Sequence, residues 1–167
     1  MDFGKRHRRL SCTIAFLICV SVNSSLCISA GADSKSRAAE QENIWEAVFR
    51  YQFKQHSGVF CLSIPGNNPN PSDAFMTRFK DINPPVKKFS QFRRAKSHKS
   101  QRWFSDPKTG QPMTVLSVGK TTWISDDHVQ VEGGYYCGSL CAGGGTFDVV
   151  RQHGVWVVRK FDLKLIS

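Results

Sequence analysis

Met113-Thr114-Val115-Leu116-Ser117-Val118-Gly119-Lys120-Thr121-Thr122-Trp123-Ile124 is followed by Ser125-Asp126-Asp127-His128 and then by Val129-Gln130-Val131-Glu132-Gly133-Gly134-Tyr135-Tyr136. Two β-rich runs thus flank a polar turn. In the second run Val129, Val131, Gly133 and Tyr135 alternate with Gln130, Glu132, Gly134 and Tyr136, the period of a strand with one face on a core. In the first run Gly119 reads as a bulge or bend within one long strand, a device that curves a sheet. Further on, Gly138–Gly145 reads as a small-residue connection, Thr146–Gln152 as a strand, His153-Gly154 as a tight turn and Val155–Val158 as its partner strand. The alternating tail Phe161-Asp162-Leu163-Lys164-Leu165 continues that last strand. The C-terminal half is therefore a meander of about four antiparallel strands.

Working upstream, Asp106-Pro107-Lys108-Thr109-Gly110 is a turn that separates this meander from a different kind of chain. Ile44, Trp45, Val48, Phe49 and Phe53 form an apolar stripe at helical spacing, with Glu42, Glu46, Arg50 and Lys54 on the other faces, which predicts a helix of roughly 12 to 16 residues. Val59-Phe60-Cys61-Leu62-Ser63-Ile64 is a continuous apolar run closed by Pro65-Gly66, as in a buried strand, with Cys61 in or beside the core. Asn67–Pro71 reads as a loop. Ser72 then caps a second helix carrying Phe75, Met76, Phe79 and Ile82, stopped by Asn83-Pro84-Pro85. The order predicts an α+β fold, two N-terminal helices packed on a curved antiparallel sheet of about four to five strands, in the manner of nuclear-transport-factor-like or cystatin-like domains. Such a likeness licenses no function.

The N-terminus has the three parts of a cleavable export signal: the basic start Lys5, Arg6, Arg8 and Arg9, the apolar run Thr13–Val20, and the small residues Ala30-Gly31-Ala32, which place cleavage before Asp33. The apolar run is far shorter than the roughly 20 residues of a spanning helix, so no stable transmembrane anchor is expected. The predicted organisation is a signal peptide at 1–32, a flexible arm at 33–41 and one domain at 42–167. The expected location is outside the cytoplasm, in a periplasm or the extracellular space.

Of the 23 basic and 13 acidic residues, four and one lie in 1–32, leaving a net charge of +7 on 135 residues. All of that excess can be assigned to one place. From Ile82 to Ser105 there is no acid, while Lys87, Lys88, Arg93, Arg94, Lys96, Lys99 and Arg102 supply seven positive charges, with Phe89, Phe92, Trp103 and Phe104 interleaved. These basic residues and Trp103 are the candidate binding residues, and the chemistry they suit is an anionic envelope component or protein partner. The competing reading is a solvated segment whose aromatics tuck back onto the core. No nucleic-acid partner is expected, because export argues against it and no recognition motif accompanies the charge.

Three of six cysteines leave with the signal, so Cys61, Cys137 and Cys141 remain. Cys137-Gly138-Ser139-Leu140-Cys141 suits a short disulfide staple outside the cytoplasm. The alternative is a small cysteine-dependent hydrolase or thiol enzyme, which needs His153, His128 or His56 beside a free thiol. Neither a metal site nor a cofactor is expected. The cysteines and histidines lack metal-ligand spacing, and Gly143-Gly144-Gly145 precedes no helix or Gly-Lys-Ser/Thr pattern and reads as a flexible hairpin loop. Asp126, Asp127 and Glu132 are candidates for an acid/base set, and a turn setting explains the first two.

Ile44–Phe53, the Pro-Ser-Asp-Ala-Phe start of the second helix, Val131–Cys137 and Gly154-Val155-Trp156-Val157-Val158 resemble an uncharacterised family of exported bacterial proteins, over about residues 42–167. No activity is assigned to that family, so the resemblance implies bacterial export and no catalytic residue. The leading expectation is an exported, non-enzymatic binding or accessory domain acting through residues 87–104. A thiol enzyme, or a structural module that forms a homo-oligomer through its curved sheet, are the alternatives.

Overall fold

The computed structural model describes residues 29–92, 96–98 and 103–167. One long helix, α1 (Ser29–Gln55), lies against a six-stranded mixed sheet. The sheet contains β1 (Val59–Ser63), β2 (Lys87–Lys88), and four long strands that follow the basic segment. Within that segment are a one-turn helix α3 (Phe89–Phe92) and a separate hairpin of β3 (Lys96–His98) and β4 (Trp103–Ser105). The long strands are β5 (Met113–Ser125), β6 (His128–Gly138), β7 (Cys141–Gln152) and β8 (Val155–Ile166). The spatial order is β2-β1-β5-β6-β7-β8. Strands β5 to β8 form the antiparallel meander, whereas β1 joins β5 in parallel and β2 joins β1 in parallel.

The α+β class holds, but its details change. The sheet has six strands, and the second helix is a single turn, α2 (Asp73–Met76), continued by a 3-10 turn at Thr77–Phe79. Its cap is the expected one, with Ser72 Oγ accepting the Phe75 N–H at 3.0 Å. This short element docks through Phe75 and Phe79, whose rings meet Phe49 of α1 edge-on at 6.2 and 6.1 Å. Side-chain contacts of this kind suffice to place a turn that could not persist as an isolated helix. Arg78 reinforces it by pairing with Glu42 and Glu46 of α1, and Arg50 does so by pairing with Asp81.

The expected flexible arm at 33–41 is helical. Residues 1–28 of the expected signal lie outside the described residues, and Ser29–Ala32 open α1. The arm's sequence lacks an apolar stripe, so its helix is held by polar contacts across space. Gln41 Nε2 donates to Thr121 Oγ1 at 2.6 Å, the Arg37 guanidinium lies 5.0 Å from the Trp123 ring centre, and Glu40 accepts from both Arg151 and the Trp156 indole.

On the helix side the sheet carries Leu116, Val118, Val129, Val131, Phe147, Val149 and Trp156, all buried against Ile44, Val48 and Phe49. Each large side chain so buried contributes roughly 1.5–3 kcal/mol of transfer free energy. The reverse side holds a smaller cluster, Val59, Cys61, Met113 and Val115, covered by Phe89 and Phe92.

The register of the sheet shifts at glycines. Gly119 lies in the register shift between Val118 and Thr121, as expected of a bulge. Gly143–Gly145, read from sequence as a loop, belong to β7 and pair with Tyr135, Gly134 and Gly133 of β6. The correction has a steric cause. A Cβ at Gly143 would sit 2.6–2.8 Å from the Tyr135 ring, and one at Gly145 would collide with the Asp162 carbonyl. The glycines serve close approach between strands. His153 and Gly154, with φ of 50° and 81°, make the two-residue turn that joins β7 to β8.

Candidate functional site

The basic segment begins with two lysines whose charges are already answered. Lys87, on β2 opposite Cys61, places Nζ 2.6 Å from Asp106 Oδ2. Asp106 is buried and caps its own turn, accepting also from the Lys108 N–H at 3.2 Å and the Thr109 hydroxyl at 3.0 Å. The bond from Lys87, helped by these two donors, holds the Asp106 carboxyl below the usual carboxylate range against the opposing effect of burial. Lys88 Nζ lies 2.8 Å from Asp73 Oδ1, an exposed pair.

Next come the aromatics, and they turn inward. Phe92 lies 4.9 Å from Phe104 and 6.1 Å from Tyr136, and Phe104 lies 5.8 Å from Tyr136, ring centre to ring centre. With Phe89 stacked 6.4 Å from Phe92, they roof the small cluster over β1 and β5. These side chains are thereby committed to the protein's own sheet. Trp103 is half-buried at the start of β4. Of the remaining candidates, Lys96 pairs by its backbone with Ser105. Its side chain, together with Arg93, Arg94, Lys99 and Arg102, lies outside the described residues. The structure thus separates the segment into a base of neutralised lysines and roofing aromatics, and a stretch between Phe92 and Trp103 to which the sequence assigns five positive charges.

The cysteines do not make a thiol site. Cys137 and Cys141 are joined across the β6–β7 turn with Cα atoms 5.2 Å apart. Cys61 is fully buried, and burial pushes its thiol up to about 12, with Asp106 adding to the rise and Lys87 opposing it. A nucleophile would need the thiolate, so this group is unreactive at neutral pH. His153 stands just past Gln152, at the far end of β7 from Cys141, and 12 residues of strand span roughly 40 Å. His128 likewise opens β6 while Cys137 closes it.

The three carboxylates do not converge either. Asp127 pairs with Arg151, Asp126 stays in the turn, and Glu132 stands opposite Thr146, four residues or roughly 13 Å along β6 from His128. Paired glycosidase carboxylates need roughly 5–9.5 Å. Among the described residues there is no cluster of three His, Cys, Asp or Glu side chains able to hold a metal.

Two constellations escaped the sequence reading. Asp148 accepts from His128 and from Arg159 Nε at 2.6 Å, and these two donors, His128 first, hold its carboxyl below the usual range. The second surrounds the C-terminal end of α1. There the His56 ring rests 4.3 Å from the Tyr135 ring, and burial lowers its proton affinity below that of a free histidine. Neither has a local sequence signal, because the partners are 20 and 79 residues apart and meet only in the folded chain.

No protein-family model, no curated protein and no solved structure matches this chain.

Proposed function

We propose that the protein is an exported, non-enzymatic binding domain that contacts an anionic surface of the cell envelope through its acid-free segment. The observation that carries this reading is the division within that segment. Phe89, Phe92 and Phe104 fasten it to the sheet and Lys87 and Lys88 are spent on Asp106 and Asp73. The sequence between the fastened ends holds Arg93, Arg94, Lys96, Lys99 and Arg102 with no acid among them. Like charges confined to so short a stretch gain by lying against a negatively charged surface, and the gain falls with salt. The basic and apolar start of the chain and the Cys137–Cys141 bond support export.

The test is co-sedimentation of the chain lacking residues 1–32 with phosphatidylglycerol vesicles, compared with phosphatidylcholine vesicles, across a salt series. Salt-sensitive binding to the first alone, lost in Arg93→Glu/Arg94→Glu, is the expected result. Binding unchanged by that double substitution at low salt would sink the proposal.

A second reading draws on β8. It is the last strand of the sheet, paired with β7 on one side and with no described strand on the other, and it bears Val155, Leu165 and Ile166 with 64–74% of their surfaces exposed. A second copy of the chain paired along that edge would cover them. Light scattering that finds only monomer at high concentration removes this reading.

A further inference from the structure

The helix side of the sheet is not filled along its whole length. Where α1 ends, beside glycines of β6 and β7, a pocket of about 150 Å³ remains between helix and sheet. Its walls are Tyr51 from α1, His56 just past the end of α1, Tyr135 from β6, Phe147 from β7, and Phe161 and Leu163 from β8. Gln52 also contributes to its lining.

The shape of the pocket is fixed by ring packing. Phe147 and Phe161 are stacked, with centres 4.2 Å apart and planes 18° apart, and Tyr51 meets Phe147 edge-on at 6.0 Å. Tyr135 can lie where it does only because Gly143 beneath it has no side chain. A Cβ on the lining residue Gly134 would collide with the Gly143 carbonyl, so the wall there is bare backbone. The two glycines therefore fix the close strand approach and the Tyr135 ring position that bound the space.

Its chemistry is equally restricted. No Asp, Glu, Lys or Arg lines the pocket, and its histidine favours the neutral form. Transferring an ion to such surroundings without a partner is costly. Gln52 is 2% exposed, and its amide nitrogen reaches the Ser117 carbonyl at a long 3.4 Å. Among the described residues its Oε1 has no hydrogen-bond partner. A buried acceptor left unpaired costs about 1–3 kcal/mol, a cost recovered if an occupant supplies the donor after a small turn of the amide. An apolar cavity of this size holds one six-membered ring, and edge and face contacts with the surrounding rings favour a planar one.

We infer that this pocket binds one uncharged, single-ring aromatic molecule carrying a hydrogen-bond donor, the phenol class, with the ring among Phe147, Phe161 and Tyr135 and the donor on Gln52. The site is on the opposite side of the sheet from Phe89 and Phe92, and it shares no residue with the acid-free segment, so it stands or falls independently of envelope binding.

The experiment is an NMR titration of the chain lacking residues 1–32 with phenol, toluene and benzoate, following the Gln52 side-chain amide and the Gly134 backbone amide. Phenol is expected to shift both signals saturably, and benzoate to bind at least about tenfold more weakly for want of a cation. Gln52→Leu removes the unpaired acceptor without opening a hole, so it preserves folding. It should weaken phenol about tenfold and leave toluene unchanged or tighter. Leu163→Trp, at a half-exposed position on the rim, should abolish binding of both. Non-saturating shifts with phenol, benzoate binding equal to phenol, or phenol binding indifferent to Gln52→Leu would each overturn the inference.

Discussion

The two faces of the sheet are covered in different ways. On the inner face a 27-residue helix buries side chains from β1 to β8, and aromatic rings from α1 and the 3-10 turn complete the core. On the outer face the described residues cover β1, the first half of β5 and Tyr136 of β6, through a segment that contributes three phenylalanines and a lysine–aspartate pair. The strands record this difference. β1 is buried at four consecutive residues, Val59–Leu62, because both of its faces are covered, whereas β6 alternates because one face meets solvent. The inner face therefore carries the stability of the domain, and the outer cover can loosen without dissolving it.

This contrast can be broken most directly by truncating one ring on each side. Phe49→Ala, which empties a fully buried position between α1 and the 3-10 turn, should cost about 3–5 kcal/mol in urea unfolding. A cost below about 1 kcal/mol would show that the inner face does not dominate.

Removing the ion pair comes next. Asp106→Ala leaves Lys87 without its partner and should destabilise by about 2 kcal/mol. The pH dependence has a definite sign. Because Asp106 is held below the ordinary range in the fold, its stabilisation is fully present above the unfolded value near about 4 and is lost as pH falls through the lower folded value. Asp106→Asn should therefore flatten part of the acid limb of stability, and an acid limb unchanged by it would remove the pair from the account.

The smallest global effect is expected of the outer roof. Phe92→Ala, at a half-buried ring, should cost about 1–2 kcal/mol. Its sharper readout is Cys61, fully buried under that roof. Alkylation of Cys61 in the native protein should be slow, and should accelerate several-fold in Phe92→Ala at denaturant concentrations where near-ultraviolet circular dichroism is still native. Acceleration that tracks global unfolding alone would mean that the two faces open together.

The meander was legible because its signals are local: alternation in β6, the Gly119 bend, and the left-handed turn at His153 and Gly154. The Ser72 cap was legible for the same reason. The helical arm was not, since Glu40, Gln41 and Arg37 are ordinary surface residues whose partners Arg151, Thr121 and Trp123 lie far along the chain. Gly143–Gly145 carries a strand for a reason visible only once β6 and β8 crowd it. As for the candidate site, the charge of residues 87–102 could be read from sequence, but the neutralisation of Lys87 and Lys88 could not. The ring pocket left no local trace, being assembled from α1, β6, β7 and β8.

The parallel pairing of β1 with β5 has one further consequence. Val59 stands beside Met113 and Ser63 beside Ser117, so residues 64 to 112 are one connection between neighbouring parallel strands, touching the sheet on the way as β2. The closure cost of such a connection grows only slowly with its length, by roughly 0.6 kcal/mol for each doubling. The part between Phe92 and Trp103 can accordingly be lengthened, shortened or recharged by mutation while the register of the sheet stays fixed. That makes it the region where related chains could diverge in what they touch while keeping one scaffold.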